Sequence, residues 1–456
     1  MSDHSFLVLP SGADKAADDS LPSQIGKYKI LSRLGDGATS EVYLAFDEFH
    51  QRKVAIKRVR EATAEESLEN HYRVHFFAAE AALAGKLKHP NVVQIFDAVA
   101  DTARPYLVME YVSGVTLRRF CRPDALLPLD QVVEVGFKCA MALDYVARHG
   151  LIHRDVKPAN ILAVLRNEVI TDIKITDFGS AFDQTSDRTQ VYRVGSLAYM
   201  SPEQLDGSNL DTRADMYSLS AVLYHLVAGR PPFDAGNQVA LMHQIYNAEA
   251  PPLSGLRDGV PARLQALLRQ GLSKRPEQRP ANWQDFAGEL SLLVASGELP
   301  QSNLQDVLDS ERFGLLRALE FFNDFGDIAL WEVVRRAQWL RHKFGAALYR
   351  KGELGNTFHI IAFGKVEVYR DGRRVAQLGA GTSVGEMAYL APSPDMRCHA
   401  ADVIVSDPAT TIAFTPESLA ALSPSTRHLF DAGFIRVLVR RLHAAHEQLA
   451  HPRRIL

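Results

Sequence analysis

His153-Arg154-Asp155-Val156-Lys157-Pro158-Ala159-Asn160, followed further on by Asp177-Phe178-Gly179, decides how this chain is read. Upstream of it, Gly35-Asp36-Gly37 and then Val42 give two glycines of a phosphate-covering loop, with Ser40 where a third often sits. Glycines there let backbone N–H groups approach phosphate oxygens without a Cβ in the way. Val54-Ala55-Ile56-Lys57 puts a lysine on a strand, with Glu80 downstream in a helical segment. A lysine that must hold the α- and β-phosphates needs an anionic partner, and Glu80 can be that partner. Taken singly, the glycines would be a hairpin turn and the Lys57 and Glu80 charges surface groups. Their order along the chain gives them weight.

With these motifs in place the chain resembles the eukaryotic-type protein kinases, and among them the bacterial Ser/Thr kinases. The resemblance covers about residues 26–295. It extends through Ser201-Pro202-Glu203, Asp215 in the following helix, and Arg279 where the family has an arginine that pairs with that glutamate. It implies that Asp155 accepts or orients the substrate hydroxyl proton and that Lys157 holds the γ-phosphate. Asn160 and Asp177 are hard oxygen ligands for Mg²⁺. ATP would lie against Gly35, Gly37, Val42, Ala55 and Lys57. Its adenine would meet Glu110 to Val112, with Met109 at the back of the pocket. Ser196 stands where the family usually has threonine and keeps the hydroxyl. Arg154 is the arginine that in the family pairs with a phosphorylated activation loop, for which Thr189, Thr185 and Ser186 are the candidate acceptors. Protein Ser/Thr side chains are the implied substrates.

A chain of 456 residues is long enough for two globular units and a connector. With 51 basic against 54 acidic residues, its charge makes no case for nucleic acid or anionic lipid as a partner. Three scattered cysteines show no disulfide or zinc spacing and favour a reducing cytoplasm. No apolar run reaches the roughly 20 residues that span a bilayer, and the stretch Ser218 to Ala228 reads as a buried helix. Residues 1–25, rich in Ser, Asp and Ala, read as a disordered tail. β-type runs and then helical periodicity fill 26–295, and the polar stretch 296–312 reads as a linker. Helical text from Glu311 to His342 leads into the alternating strands of 313–456. Asp371-Gly372 supplies a hairpin turn, and Phe430, Phe434, Leu438 and Leu442 form an apolar stripe on a last helix, Ser425 to His451.

This C-terminal third is similar to the cyclic-nucleotide-binding domain of catabolite-activator-type regulators and kinase regulatory subunits. The resemblance rests on Gly352, Gly355, Phe358, Ile360 and Gly364, then on Gly385-Glu386-Met387-Ala388 and Arg397, which match the family's phosphate-binding cassette. Gly385 permits a tight turn before a short helix whose first N–H groups favour an anion. Arg397 can give bidentate bonds to a cyclic phosphate, and Glu386 can accept from a ribose 2′-OH. The chain departs from the pattern at Pro392-Ser393-Pro394-Asp395, which lengthens the cassette, and at Cys398 and His399 after the arginine. Cyclic AMP is favoured over cyclic GMP because no Thr or Ser follows Arg397.

The expected fold class is α+β, a bilobal kinase fold followed by a β-roll with flanking helices. The expected function is a Ser/Thr kinase regulated in cis by a cyclic nucleotide. Two other readings stay open: an active kinase whose roll is a ligand-free homodimerisation or packing module, and a non-catalytic scaffold. Lys57, Asp155, Asn160 and Asp177 all being present argues against the scaffold.

Overall fold

The structure is a computed structural model that describes residues 21–36, 40–60, 77, 81–82, 85–100, 104–178, 182–183, 197–299, 308–391, 393 and 396–450. The chain divides after Asp306 into two compact units, each taken by itself here.

The first unit opens with strands β1 Gln24–Ile25, β2 Tyr28–Asp36, β3 Ser40–Asp47, β4 Arg52–Val59, β5 Ile95–Val99 and β6 Tyr106–Glu110. They form one antiparallel sheet in the order β1-β2-β3-β4-β6-β5. The period of two sends alternate side chains to opposite faces. Val54 and Ile56 join Tyr28, Tyr43, Ala45 and Val108 in one apolar cluster. Ala55 joins Leu34, Val42 and Leu44 in another. Lys57 shares the face of Ala55, and its register partner is Val42, while Ala55 faces Met109. The alternation of one strand therefore delivers the lysine to the side where Val42 and Met109 already lie.

Further strands are β7 Val115–Thr116, β8 Leu151–Ile152, β9 Ile161–Arg166, β10 Val169–Ile175 and β11 Phe182–Asp183. The β9–β10 hairpin interrupts the helical text expected from about Leu129 to Ala295. The helices are α1 Leu129–Arg148, α2 Pro202–Leu205, α3 Arg213–Ala228, α4 Gln238–Asn247, α5 Ala262–Gly271 and α6 Trp283–Ala295. The Ser218 to Ala228 stretch lies in α3, and Leu219, Val222, Leu223, Leu226 and Val227 are wholly buried there. Among the described residues no helix is long and apolar enough to cross a membrane.

Two expected boundaries need correction. The tail does not reach residue 25: β1 pairs with β2, and Ile25 is buried because its side chain completes the cluster around Tyr28. The linker does not reach residue 312: helix α7 begins at Asp309, with Phe313 packed against Trp331 at 5.1 Å between ring centres.

The second unit starts with α7 Asp309–Ala318 and α8 Asp327–Arg336, then β12 Gln338–His342, β13 Ala347–Tyr349, β14 Phe358–Arg370, β15 Arg373–Gly379, β16 Ser383–Val384 and β17 Asp402–Phe414. Gln338–His342, expected as helix, is a strand because it finds a full antiparallel partner in β17. The sheet runs β12-β17-β14-β15, with β13 on β17 and β16 on β14. The expected turn closes β14 to β15 with φ of 51° at Asp371 and 76° at Gly372, both left-handed as a two-residue hairpin requires. Helices α9 Glu386–Tyr389, α10 Pro416–Ala420 and α11 Pro424–Ala450 complete the unit. Phe430 and Phe434 of α11 are buried against Phe358 and Phe414. The stripe does not stay buried: Leu438 is half-buried and Leu442 is 57% exposed, because the aromatic cluster they would extend ends at Phe434.

Candidate active site and nucleotide pocket

The catalytic loop is built on His153 and Asp215. The wholly buried His153 ring has Nε2 at 3.1 Å from the Thr176 carbonyl, so that nitrogen carries the proton, and Nδ1 accepts from the Asp155 N–H at 3.3 Å. The Phe178 ring packs on it at 4.6 Å. The Asp215 carboxylate, arriving on α3, accepts from the N–H groups of His153 at 2.7 Å and Arg154 at 2.8 Å. Burial pushes the Asp215 carboxyl up, only partly offset by His153 and the two N–H groups. Those bonds hold Arg154 at a φ of 64°, a left-handed conformation that a non-glycine residue adopts only when its surroundings enforce it.

On this base the polar groups converge. Asn160 Nδ2 donates to the Asp155 carbonyl and to Asp155 Oδ2, each at 2.9 Å. Lys157 Nζ lies 2.8 Å from the same Oδ2. Lys57 Nζ, from the sheet above, donates to Asp177 Oδ1 at 2.6 Å. Burial would raise the Asp177 carboxyl, but Lys57, with Lys157, more than reverses this and holds it well below the usual carboxylate range. Because Asn160 spends its N–H₂ on Asp155, its amide oxygen is left as a second hard donor beside the ionised Asp177. These are the donor types Mg²⁺ takes.

The cleft beside these groups takes in about 580 Å³ of space, the open solvent at its mouth included. Val42, Ala55, Met109 and Val112 line it, with Lys57, Glu110, Asn160 and Asp177, as the sequence predicts. Tyr111, within the Glu110 to Val112 segment, lines it as well, and Val93, Ala159, Leu162 and Thr176 line it too and were missed. Ala159, Leu162 and Thr176 could have been found as neighbours of Asn160 and Asp177, whereas Val93 carries no local signal. Gly35 pairs with Val42 in the sheet but is not among the lining residues. The Glu110 carboxylate is engaged by Lys174 at 2.7 Å, and its backbone N–H donates to the Gln94 carbonyl at 2.8 Å. Gly37, Glu80, Gly179, Thr185, Ser186, Thr189 and Ser196 lie outside the described residues.

In the second unit the cassette begins at Gly385, with a φ of 84°. A Cβ there would lie 2.4 Å from the Tyr349 hydroxyl, which donates to the Thr357 carbonyl at 3.1 Å and so cannot retreat freely. Gly385→Ala is therefore expected to destabilise this unit by about 2 kcal/mol, from backbone strain plus the clash. Urea unfolding of the full chain reads it, and a loss under about 0.5 kcal/mol would contradict the assignment.

Glu386 follows on α9 and is 1% exposed. One carboxylate oxygen takes a hydrogen bond from Arg441, while the other, Oε2, is buried without a hydrogen-bond partner among the described residues. Gly355 brings α9 and the segment from Met396 to His399 together: a Cβ there would lie 2.7 Å from Ala388 Cβ and 2.6 Å from the His399 ring. The Arg397 backbone carbonyl is fixed by the Gly355 N–H at 2.7 Å, and its guanidinium is exposed. Met387 is 68% exposed, and the free Cys398 is exposed as well. Of the lengthened stretch 392–395 only Ser393 is described.

A bilobal unit with a Lys–Asp pair over an Asp–Lys–Asn loop is the architecture of protein kinases. The protein kinase domain family model matches residues 28–288, and the chain belongs to that family. The cyclic nucleotide-binding domain model matches residues 340–424. Among curated relatives, the chain is similar to the serine/threonine-protein kinase PknB of Mycobacterium leprae, 36% identical over 302 residues, which is 65% of this chain and 47% of the relative. PknB of Mycolicibacterium smegmatis is 36% identical over 300 residues, 64% of this chain and 46% of that protein. The chain thus spans about half the length of the curated relatives it matches.

Proposed function

We propose that the chain transfers the ATP γ-phosphoryl to Ser or Thr hydroxyls of proteins, and that a cyclic nucleotide bound to the second unit sets this activity in cis. The observation that carries the kinase reading is that Lys57, Asn160 and Asp177 line one cleft, with Asp155 bonded to Asn160 and Lys157 paired with Asp155 beside it. Lys57 would hold the ATP phosphates and Asp155 would orient the acceptor hydroxyl. Lys157 would neutralise the transferring group. Mg²⁺ held by Asn160 and Asp177 would supply charge neutralisation across the phosphates. Among the described residues no group of three His, Cys, Asp or Glu side chains forms a ready metal cage. Phosphate oxygens and water would complete the shell, as is usual for this cation. The activation-loop switch remains part of the proposal, with Thr189 the first candidate acceptor.

The cyclic-nucleotide reading is carried by Glu386 Oε2, which is buried with no hydrogen-bond partner among the described residues. A buried carboxylate oxygen without a donor is costly, and a ligand hydroxyl would answer it. The phosphate would meet Arg397 and the start of α9, with cyclic AMP favoured. The test is phosphotransfer measured with and without cyclic AMP and cyclic GMP, beside calorimetric titration. Arg397→Ala is expected to weaken binding about ten- to a hundredfold and Arg397→Lys to recover only part. Ligand-free phosphotransfer should be unchanged in both. If the wild type binds neither nucleotide at millimolar concentration, the regulatory reading fails.

A further inference from the structure

Arg441 lies on α11, outside every motif the sequence offered, yet it reaches the cassette. Its Nη1 donates to Glu386 Oε1, and its Nη2 donates to the Ser383 carbonyl at 2.7 Å. A guanidinium fork shared between a carboxylate and a backbone carbonyl has one planar geometry, so it fixes the Glu386 rotamer. With Oε1 taken, Oε2 is the only oxygen left to a ligand. Two turns earlier on the same helix, Phe434 is buried against Phe358 at 4.8 Å between ring centres. The Phe434 anchor sets where Arg441 stands relative to β16 and α9.

We propose that Arg441 is a positioning residue that makes the pocket selective for a ribonucleotide, by holding Glu386 aimed so that Oε2 accepts the ligand 2′-hydroxyl. This rests on reading the cassette as a cyclic-nucleotide site. It also gives α11 a direct stake in occupancy, since a ligand at Oε2 and Arg441 at Oε1 share one carboxylate. Without Arg441, a carboxylate that is 1% exposed loses the hydrogen bond that aims it, and its rotamer is no longer held.

The test is calorimetric titration of the full chain with cyclic AMP and with its 2′-deoxy analogue. The wild type is expected to prefer cyclic AMP by about tenfold or more, the worth of one hydrogen bond to a charged group. Arg441→Ala should lose about tenfold for cyclic AMP and under about threefold for the deoxy analogue, whose binding also shows that the variant is folded. Arg441→Lys should restore part of the preference, because it returns the charge without the fork. An unchanged preference in Arg441→Ala, with the wild type binding, overturns the inference and leaves the site reading intact. Tighter cyclic AMP binding by Arg441→Ala overturns it as well, since Arg441 would then compete with the ligand. Binding of neither ligand by the wild type removes the site reading and this inference together.

Discussion

Phosphotransfer by Lys57→Met and by Asp177→Asn is expected to fall at least about a hundredfold, the cost of removing one preorganised charge from a transition state. Each variant removes a different half of one ion pair. Lys57→Met takes away the cation that would hold the phosphates and also the largest attraction that keeps the Asp177 carboxyl low. Asp177→Asn keeps the shape but removes the negative charge that would hold the metal. The fold should survive both. Lys57 sits at the rim of the cleft with 19% of its side chain exposed. Asp177 has a φ of 67°, a conformation that asparagine tolerates as well as aspartate does. The assay is phosphate transfer from labelled ATP to the chain itself and to a general Ser/Thr protein substrate, with circular dichroism as the check on folding. More than a tenth of wild-type activity in both variants would overturn the site assignment.

Arg279→Met is expected to destabilise the first unit by about 3–5 kcal/mol, the usual cost of stripping one partner from a buried ion pair. The Arg279 guanidinium side chain is 0% exposed and its partner Glu203 is 13% exposed. It grips both Glu203 oxygens, at 2.5 and 2.8 Å, and donates to the carbonyls of Ser273 at 2.9 Å and Arg213 at 2.8 Å. One side chain thus ties α2 to the start of α3 and to the loop after α5. Methionine fills the volume but takes the guanidinium from the Glu203 carboxylate and one donor each from the carbonyls of Ser273, Arg213 and Lys274. Glu203→Gln alone should also destabilise, and the double variant should cost clearly less than the two single losses added together. The measurement is urea unfolding of the full chain, scored on the transition of the first unit. A loss under about 1 kcal/mol in Arg279→Met would show that the pair is not the tie described here.

What the sequence could carry was local. Asp155 and Asn160 stand five residues apart in one loop, and their hydrogen bond closes within it. Asp371-Gly372 sets its own hairpin, and Gly385 its own left-handed turn. Such features depend on backbone preferences and short spacing, so residue types alone expose them. Boundaries were less legible, since β1 and β12 become strands only by finding partners elsewhere in the chain. Composition placed them in a tail and a helix because no local signal opposes those readings.

By itself the sequence determined the order of two units, the loop that holds Asp155, and which short segments turn. The tertiary structure alone decided which distant groups share a charge. Lys57 meets Asp177 across 120 residues of chain, His153 rests on Asp215 across 62, and Arg441 reaches Glu386 across 55. Closing such loops costs chain entropy that no local preference offsets. These pairings appear only when the packing of β4, α3 and α11 brings their side chains together. The buried charges then fix the catalytic loop and leave Glu386 with one buried oxygen that has no partner among the described residues.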